Sequence, residues 1–237
     1  KAHPMERHEA RIVRFLSKSE SYPHPTAGIE RRETHISHVF LAGPFAYKLK
    51  KPVRFPFLDA STLAQRERLC RLEISLNRRL APAVYLGVVP IIETAVGLQL
   101  GPSTRPSASL GMAREGGSVG RHGAGRVVEW VVKMHRLPEE RMLERLIARR
   151  QVRHRDMARI ADRLTRFFRS AARGPAVSRH GTPARVAALV LGNLEECQPF
   201  VGRLLSDADR ILIKAAYRQY LALHEPVLAR RVRERRV

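Results

Sequence analysis

The sequence predicts an α+β protein in which a mostly antiparallel sheet with one packed helix precedes a helical segment. Apolar residues follow strand spacing through most of residues 29–134 and helical spacing from Pro138 onward. Hydrophobic residues make up 44% of the 237 residues, which is enough for a packed core. We therefore divide the chain into an N-terminal helix and loop (1–28), a β-rich lobe (29–134) and a helical segment (135–237).

The N-terminal part predicts a short amphipathic helix over residues 7–16, followed by a Pro- and Gly-containing loop over 21–28. A strand is expected around 29–34. The next strands form a hairpin, because the β-rich run 39–42 and the alternating run 46–50 flank Gly43-Pro44.

Leucines and isoleucines at helical spacing predict a helix over residues 61–80, with Ser61 as its cap. The nearly continuous apolar run 83–94 predicts a strand that pairs with 97–100. The Gly-, Ser-, Pro- and Arg-rich stretch 101–125 predicts a mobile insertion. Residues 127–132, with Trp130 in the core, give the clearest strand, and a linker is expected over 134–138.

The helical segment contains a helix with Met157 on its apolar stripe and an arginine stripe opposite, which is typical of a solvated face. Thr182-Pro183 predicts the start of a helix over 184–196. Ser206 with Asp209 predicts the start of a long helix that reaches Leu228 or beyond.

Composition and charge limit the classes of function. The formal net charge is +22, with arginine outnumbering lysine 37 to 7, so nucleic acid or another polyanion is a candidate partner, although base composition of the gene explains such a bias equally well. Two distant cysteines, outside any CxxC motif, favour a reducing, cytoplasmic setting without a disulfide framework. No apolar run is long enough for a membrane helix, and His35 and His38 lack a third ligand, so no metal site is expected.

The predicted order of strands, helix, strands, linker and helices is that of a protein-kinase-like small lobe followed by the first helices of a large lobe. Such a lobe needs a lysine on its third strand to reach the nucleotide phosphates and a helix glutamate to hold that lysine. Ala46-Tyr47-Lys48 supplies the lysine, and Glu73 is the acidic residue in the middle of the predicted helix. The alternative is a solvated Lys48 in a basic hairpin and a Glu73 that is only a surface charge.

Several stretches resemble bacterial aminoglycoside phosphotransferase-like proteins, which are often fused to a P-loop ATP-binding domain. The resemblance covers residues 22–236 and is strongest in ETHISHVFL (33–41), AYKLKKPV (46–53), FLD (57–59), LNRRLAP (76–82) and YLGVVPI (85–91), then thins to VEWVVKM (128–134).

This resemblance implies a two-lobed fold that uses ATP and Mg²⁺ to phosphorylate a hydroxyl group of a small molecule. It implies that Lys48 binds the ATP phosphates, that Glu73 orients Lys48, and that the backbone of Lys133 and Met134 is the hinge for adenine. The turn at residues 35–37 would cover the phosphates, although it lacks the glycines of the protein-kinase loop.

The chain departs from the family pattern where catalysis takes place. The HGDxHxxN loop and the later aspartate, which position the acceptor and hold Mg²⁺, are not found in it. Both chain ends look cut, so we expect an inactive N-terminal fragment that needs a C-terminal half or a fused P-loop domain. The alternative is a non-catalytic basic module, a degenerate kinase fold that contacts RNA or another polyanion.

Overall fold

The computed structural model describes residues 4–104, 121–122 and 125–237. The chain divides into two compact units, Lys1–Leu164 and Thr165–Val237. The division into 1–28, 29–134 and 135–237 stays a prediction. Within the described ranges, no helix combines the length and apolar character that crossing a bilayer requires.

The first unit is a mixed α/β structure. Its strands and helices are α1 (Pro4–Leu16), β1 (Ile29–Glu33), β2 (Ser37–Ala42), β3 (Phe45–Lys50), β4 (Arg54–Phe55), β5 (Leu58–Asp59), α2 (Leu63–Asn77), β6 (Tyr85–Thr94), β7 (Gly97–Leu100), β8 (Arg121–His122), β9 (Gly125–His135), α3 (Leu143–Ala148) and the start of α4 (His154–Ser170).

An antiparallel sheet organises this unit. Its strand order is β1-β2-β3-β9-β6-β7, with β8 paired to β9 and a separate β4–β5 hairpin. The tight β2–β3 turn depends on Gly43, whose φ of 55° favours glycine. An added Cβ there would also lie 3.0 Å from the carbonyl oxygen of Pro25, so a side chain would force the Pro25 backbone to shift.

Apolar residues cover both faces of the sheet. On one face, Ile12 and Leu16 of α1 pack with Tyr47, Leu49 and Val131. The other face packs against α2, in a core formed by Cys70, Ile74, Val88, Trp130 and Val132. Val131 and Val132 are neighbours in β9 but belong to different cores, because successive side chains of a strand point to opposite faces.

The antiparallel α+β architecture predicted from the sequence is confirmed, with corrections at element ends. Thr62, not Ser61, is the N-cap of α2, where its side chain accepts a hydrogen bond from the backbone N–H of Gln65. That helix ends at Asn77, and β9 continues to His135, into the predicted linker. Most of the predicted 101–125 insertion lies outside the described residues, but Thr104 bridges to Val88 and β8 pairs with β9.

The second unit is helical. Besides the end of α4, it contains α5 (Pro175–Ser178), α6 (Pro183–Glu195) and α7 (Asp207–Arg233), and α6 packs against α7. The predicted caps are confirmed, since Thr182 accepts from the N–H of Arg185 and Ser206 from that of Asp209. Helix α7 runs past Leu228 and accommodates Pro226 in its interior.

Candidate anion-binding site on strand β3

The third strand places two lysines on one face of the sheet. Lys48 and Lys50 are two residues apart in β3, so their side chains leave the strand on the same side. Cross-strand neighbours of Lys48 are Val39 of β2 and Val132 of β9. Since Val132 belongs to the core beneath α2, both lysines point toward that helix.

Helix α2 brings a carboxylate to these lysines. Cys70 and Ile74 anchor the helix on the sheet, and Glu73 lies between them on the chain, next to Ile74. The Nζ atom of Lys48 donates a hydrogen bond to Oε1 of Glu73 at 2.9 Å. The Nζ atom of Lys50 donates to Oε2, so each carboxylate oxygen has its own ammonium partner.

Burial strengthens the electrostatic attraction between Glu73 and the two lysines. The side chains of Glu73 and Lys50 are 10% and 9% exposed, whereas that of Lys48 is 26% exposed. Burial alone would raise the pKa of Glu73, but the hydrogen bonds and charges of Lys50 and Lys48 lower it below its ordinary value. Two ammonium groups therefore share one carboxylate, which leaves a net positive charge with Lys48 as its accessible member.

The β1–β2 turn lies at the same end of the sheet as the lysines. Ser37, the first residue of β2, pairs with Lys50, and the N–H of Lys51 donates to the carbonyl oxygen of Ile36 at 3.0 Å. Thr34 closes the turn through its own N–H and hydroxyl, both bonded to the Ser37 backbone. The turn predicted to cover phosphate is thus adjacent to the lysine cluster.

The predicted hinge residues lie inside the sheet. Lys133 and Met134 belong to β9, where they face Tyr47 and Ala46 of β3 on one side and β6 on the other. The next two backbone N–H groups are also bonded, that of His135 to Val84 and that of Arg136 to Pro44. The Nζ atom of Lys133 lies 4.0 Å from the centre of the Phe45 ring, on the opposite face from Lys48. Adenine binding by Lys133 and Met134 stays a prediction.

The sequence pattern did not reveal two buried ion pairs, Arg66–Glu129 and Lys50–Glu73. Arg66 of α2 donates from Nε to both carboxylate oxygens of Glu129, at 3.0 and 2.9 Å, and both side chains are buried. The signal was Glu129 itself, since a charge inside an otherwise apolar strand needs a buried partner. The Lys50–Glu73 contact also had a signal in the sequence, because Lys50 is two residues after Lys48 and its side chain therefore leaves the strand on the same face.

The histidines considered as metal ligands do not lie in a metal-binding cluster. His38 is buried, and its Nε2 lies 2.8 Å from Oε1 of Glu9, whereas His35 is exposed. Among the described side chains, three or more His, Cys, Asp or Glu residues nowhere lie close enough to hold a metal ion. A cavity of about 410 Å³ lies between the segment after α1 and β7, and its lining includes Lys18 but neither Lys48 nor Lys50.

Comparison with known proteins finds relatives without an assigned activity. Uncharacterized proteins of Mycobacterium bovis and of two Mycobacterium tuberculosis strains are each 30% identical over 206 residues, which cover 87% of this chain. The matched stretch is 36% of each relative, so the chain spans about a third of their length. No protein-family model matches the chain. No solved structure matches it either.

Proposed function

We propose that this chain contains a kinase-like small lobe, followed in sequence by the first helices of a large lobe, and that the small lobe binds the phosphates of ATP in a phosphotransferase of the aminoglycoside phosphotransferase-like type acting on a hydroxylated small molecule. The observation that carries the proposal is the 2.9 Å contact between Lys48 on the third strand and Glu73 on the packed helix. A lysine aimed by a helix carboxylate is the arrangement with which such lobes hold the α- and β-phosphates. Because the chain spans 36% of its relatives, the transfer reaction is proposed for the longer protein.

The cluster of Lys48, Lys50 and Glu73 suits a phosphate group better than a metal ion. The lysine cluster carries a net positive charge, and Lys48 is its most exposed member. Magnesium requires several oxygen ligands, whereas both oxygens of Glu73 are already bonded to ammonium groups. We therefore assign no Mg²⁺ ligand to the described residues, and we expect the chain alone to bind ATP without transferring its phosphate.

The test is ATP binding by isothermal titration calorimetry. The change is Lys48→Met, which keeps the length of the side chain and removes its charge. We expect at least a tenfold loss of ATP affinity, because a charge-assisted contact to phosphate contributes about 1.5–3 kcal/mol. Lys18→Met is the matched control, since Lys18 is 62% exposed and pairs only weakly, with Glu20 at 3.8 Å. Equal affinity of the wild type and Lys48→Met would contradict the proposal.

A second function, binding of RNA, is favoured by one separate feature. Arg155, Arg159 and Arg163 lie in the part of α4 that belongs to the first unit, and all three are exposed and four residues apart. RNA binding through them would weaken steeply with salt, because each phosphate contact releases counterions. Tight, salt-sensitive RNA binding together with no ATP binding would favour this function over the first.

A further inference from the structure

The two lysines of the cluster differ in burial although they share one carboxylate. Lys50 is 9% exposed and bonded to Oε2 of Glu73, whereas Lys48 is 26% exposed and bonded to Oε1. Lys50 is also the last residue of β3, where Ser37 of β2 pairs with it. Lys50 is therefore enclosed by sheet and helix, and Lys48 is the lysine that a ligand can reach.

A buried carboxylate with one cationic partner is a poor support for a ligand-binding lysine. If Lys48 turned toward an anion, Glu73 would keep its charge at 10% exposure without compensation. Loss of one member of a buried pair is strongly unfavourable, because the remaining charge has no compensation, and this cost would oppose ligand binding. A second, enclosed ammonium removes this obstacle, because Glu73 stays paired while Lys48 contacts the ligand.

We propose that Lys50 is the positioning residue of the site: it stays bonded to Glu73 and fixes that carboxylate, so that Glu73 presents Lys48 to a phosphate group. The proposal rests on the proposed function for the identity of the ligand. Its structural part, the control of Glu73 by Lys50, does not depend on the ligand and is tested separately.

The remaining titratable groups around Glu73 do not replace Lys50. Burial raises the pKa of Cys70 on α2 to about 12, so its thiol is neutral at pH 7. Burial, with a smaller effect of the Glu73 charge, raises the pKa of Tyr85 on β6. The charge of Glu129 on β9 also raises the pKa of Cys70. Glu129 is an anion paired with Arg66, so it does not compensate the charge of Glu73.

The first measurement is the titration of Glu73 by carboxyl ¹³C NMR in the complete chain without ligand. The variants are Lys50→Met and Lys48→Met, with Lys18→Met as the control. We expect the pKa of Glu73 to rise in both cluster variants, and to rise more in Lys50→Met, because Lys50 is the more deeply buried of the two ammonium groups and water screens its charge less. Lys50→Arg keeps the charge and should keep the pKa low. An equal or larger rise in Lys48→Met would overturn the proposal.

The second measurement is the ATP affinity of the same variants. Lys50→Met should bind ATP at least fivefold more weakly than the wild type, and Lys50→Arg should recover most of that loss. Wild-type affinity in Lys50→Met would overturn the positioning role. If the wild type itself binds no ATP, the proposed function fails, and the titration alone decides whether Lys50 controls Glu73. If Lys50→Met does not fold, Lys50→Gln removes the charge and keeps a hydrogen-bond donor for both measurements.

Discussion

Arg66 and Glu129 join three segments of the first unit through one buried ion pair. Arg66 also donates from Nη1 to the carbonyl oxygens of Ala60 and Ser61, and Glu129 accepts from the backbone N–H of Trp130. Strand β3 pairs with β9 only from Val131 onward, so Glu129 lies beyond the shared ladder. The guanidinium therefore links the segment before α2 to strand β9 through the Glu129 side chain.

Removal of the Arg66 charge should strongly destabilise the protein. We expect Arg66→Met to lower the free energy of unfolding by about 3–5 kcal/mol, because Glu129 is left buried without its guanidinium, with His8 at 3.8 Å as its nearest other basic group. The double variant Arg66→Met/Glu129→Leu should lose less, because it removes the stranded charge as well. Urea unfolding followed by circular dichroism measures both.

The control for this prediction is an exposed arginine on the same sheet. Arg126 is 72% exposed and pairs with Glu93, which also has Arg11 as a partner. We expect Arg126→Met to change the free energy of unfolding by less than about 1 kcal/mol, as is typical of surface ion pairs. If Arg66→Met lowers the free energy of unfolding no more than Arg126→Met does, the buried Arg66–Glu129 pair does not stabilise the protein more than a surface pair.

At the scale of the element, helix α2 places Glu73 in the lysine cluster, and the stability of this helix depends on the capping of its first turn. Thr62 and Gln65 form a capping box, in which the Thr62 hydroxyl accepts from the Gln65 N–H and the Gln65 side chain accepts from the Thr62 N–H. This box satisfies two N–H groups that would otherwise have no intrahelical partner.

Thr62→Ala should therefore destabilise the protein by about 1 kcal/mol, because one of these N–H groups loses its acceptor. Thr62→Ser keeps the hydroxyl and should retain most of the stability. Thermal unfolding compares the two. Similar melting temperatures for Thr62→Ala and the wild type would mean that water replaces the cap without cost.

Much of this element pattern could be predicted from the sequence, and the limits have physical causes. The β2–β3 hairpin and the caps of α6 and α7 depend on local turn chemistry, which neighbouring residues determine. Ser61 and Thr62 are adjacent and both suit a cap, so local pattern does not choose between them. The second ammonium on Glu73 and the partner of Glu129 depend on the distance between β3, β9 and α2, which only the folded chain determines.

At the scale of the whole molecule, the two compact units differ in how they bury apolar side chains. In the first unit, most of β6 and β9 is buried on both faces of the sheet. In the second unit, large apolar side chains of α6 and α7 are exposed: Leu189 at 63%, Ile211 at 58%, Leu212 at 68% and Leu223 at 74%. Exposed apolar residues contribute little to stability, so the second unit has a smaller core to hold its helices.

Hydrogen exchange followed by mass spectrometry should separate the units. We expect the amides of β6 and β9 to exchange only through global unfolding, and those of α7 to exchange at least a hundredfold faster, because local opening of α7 exposes little additional apolar surface.

The exposed helices should also bind a hydrophobic dye and promote self-association. The double variant Leu212→Gln/Leu223→Gln should reduce both effects, whereas Val96→Gln, which changes an 86% exposed turn residue of the first unit, should not. Equal protection of α7 and β9, with no dye binding by the wild type, would mean that the second unit is as stable as the first despite its exposed apolar faces.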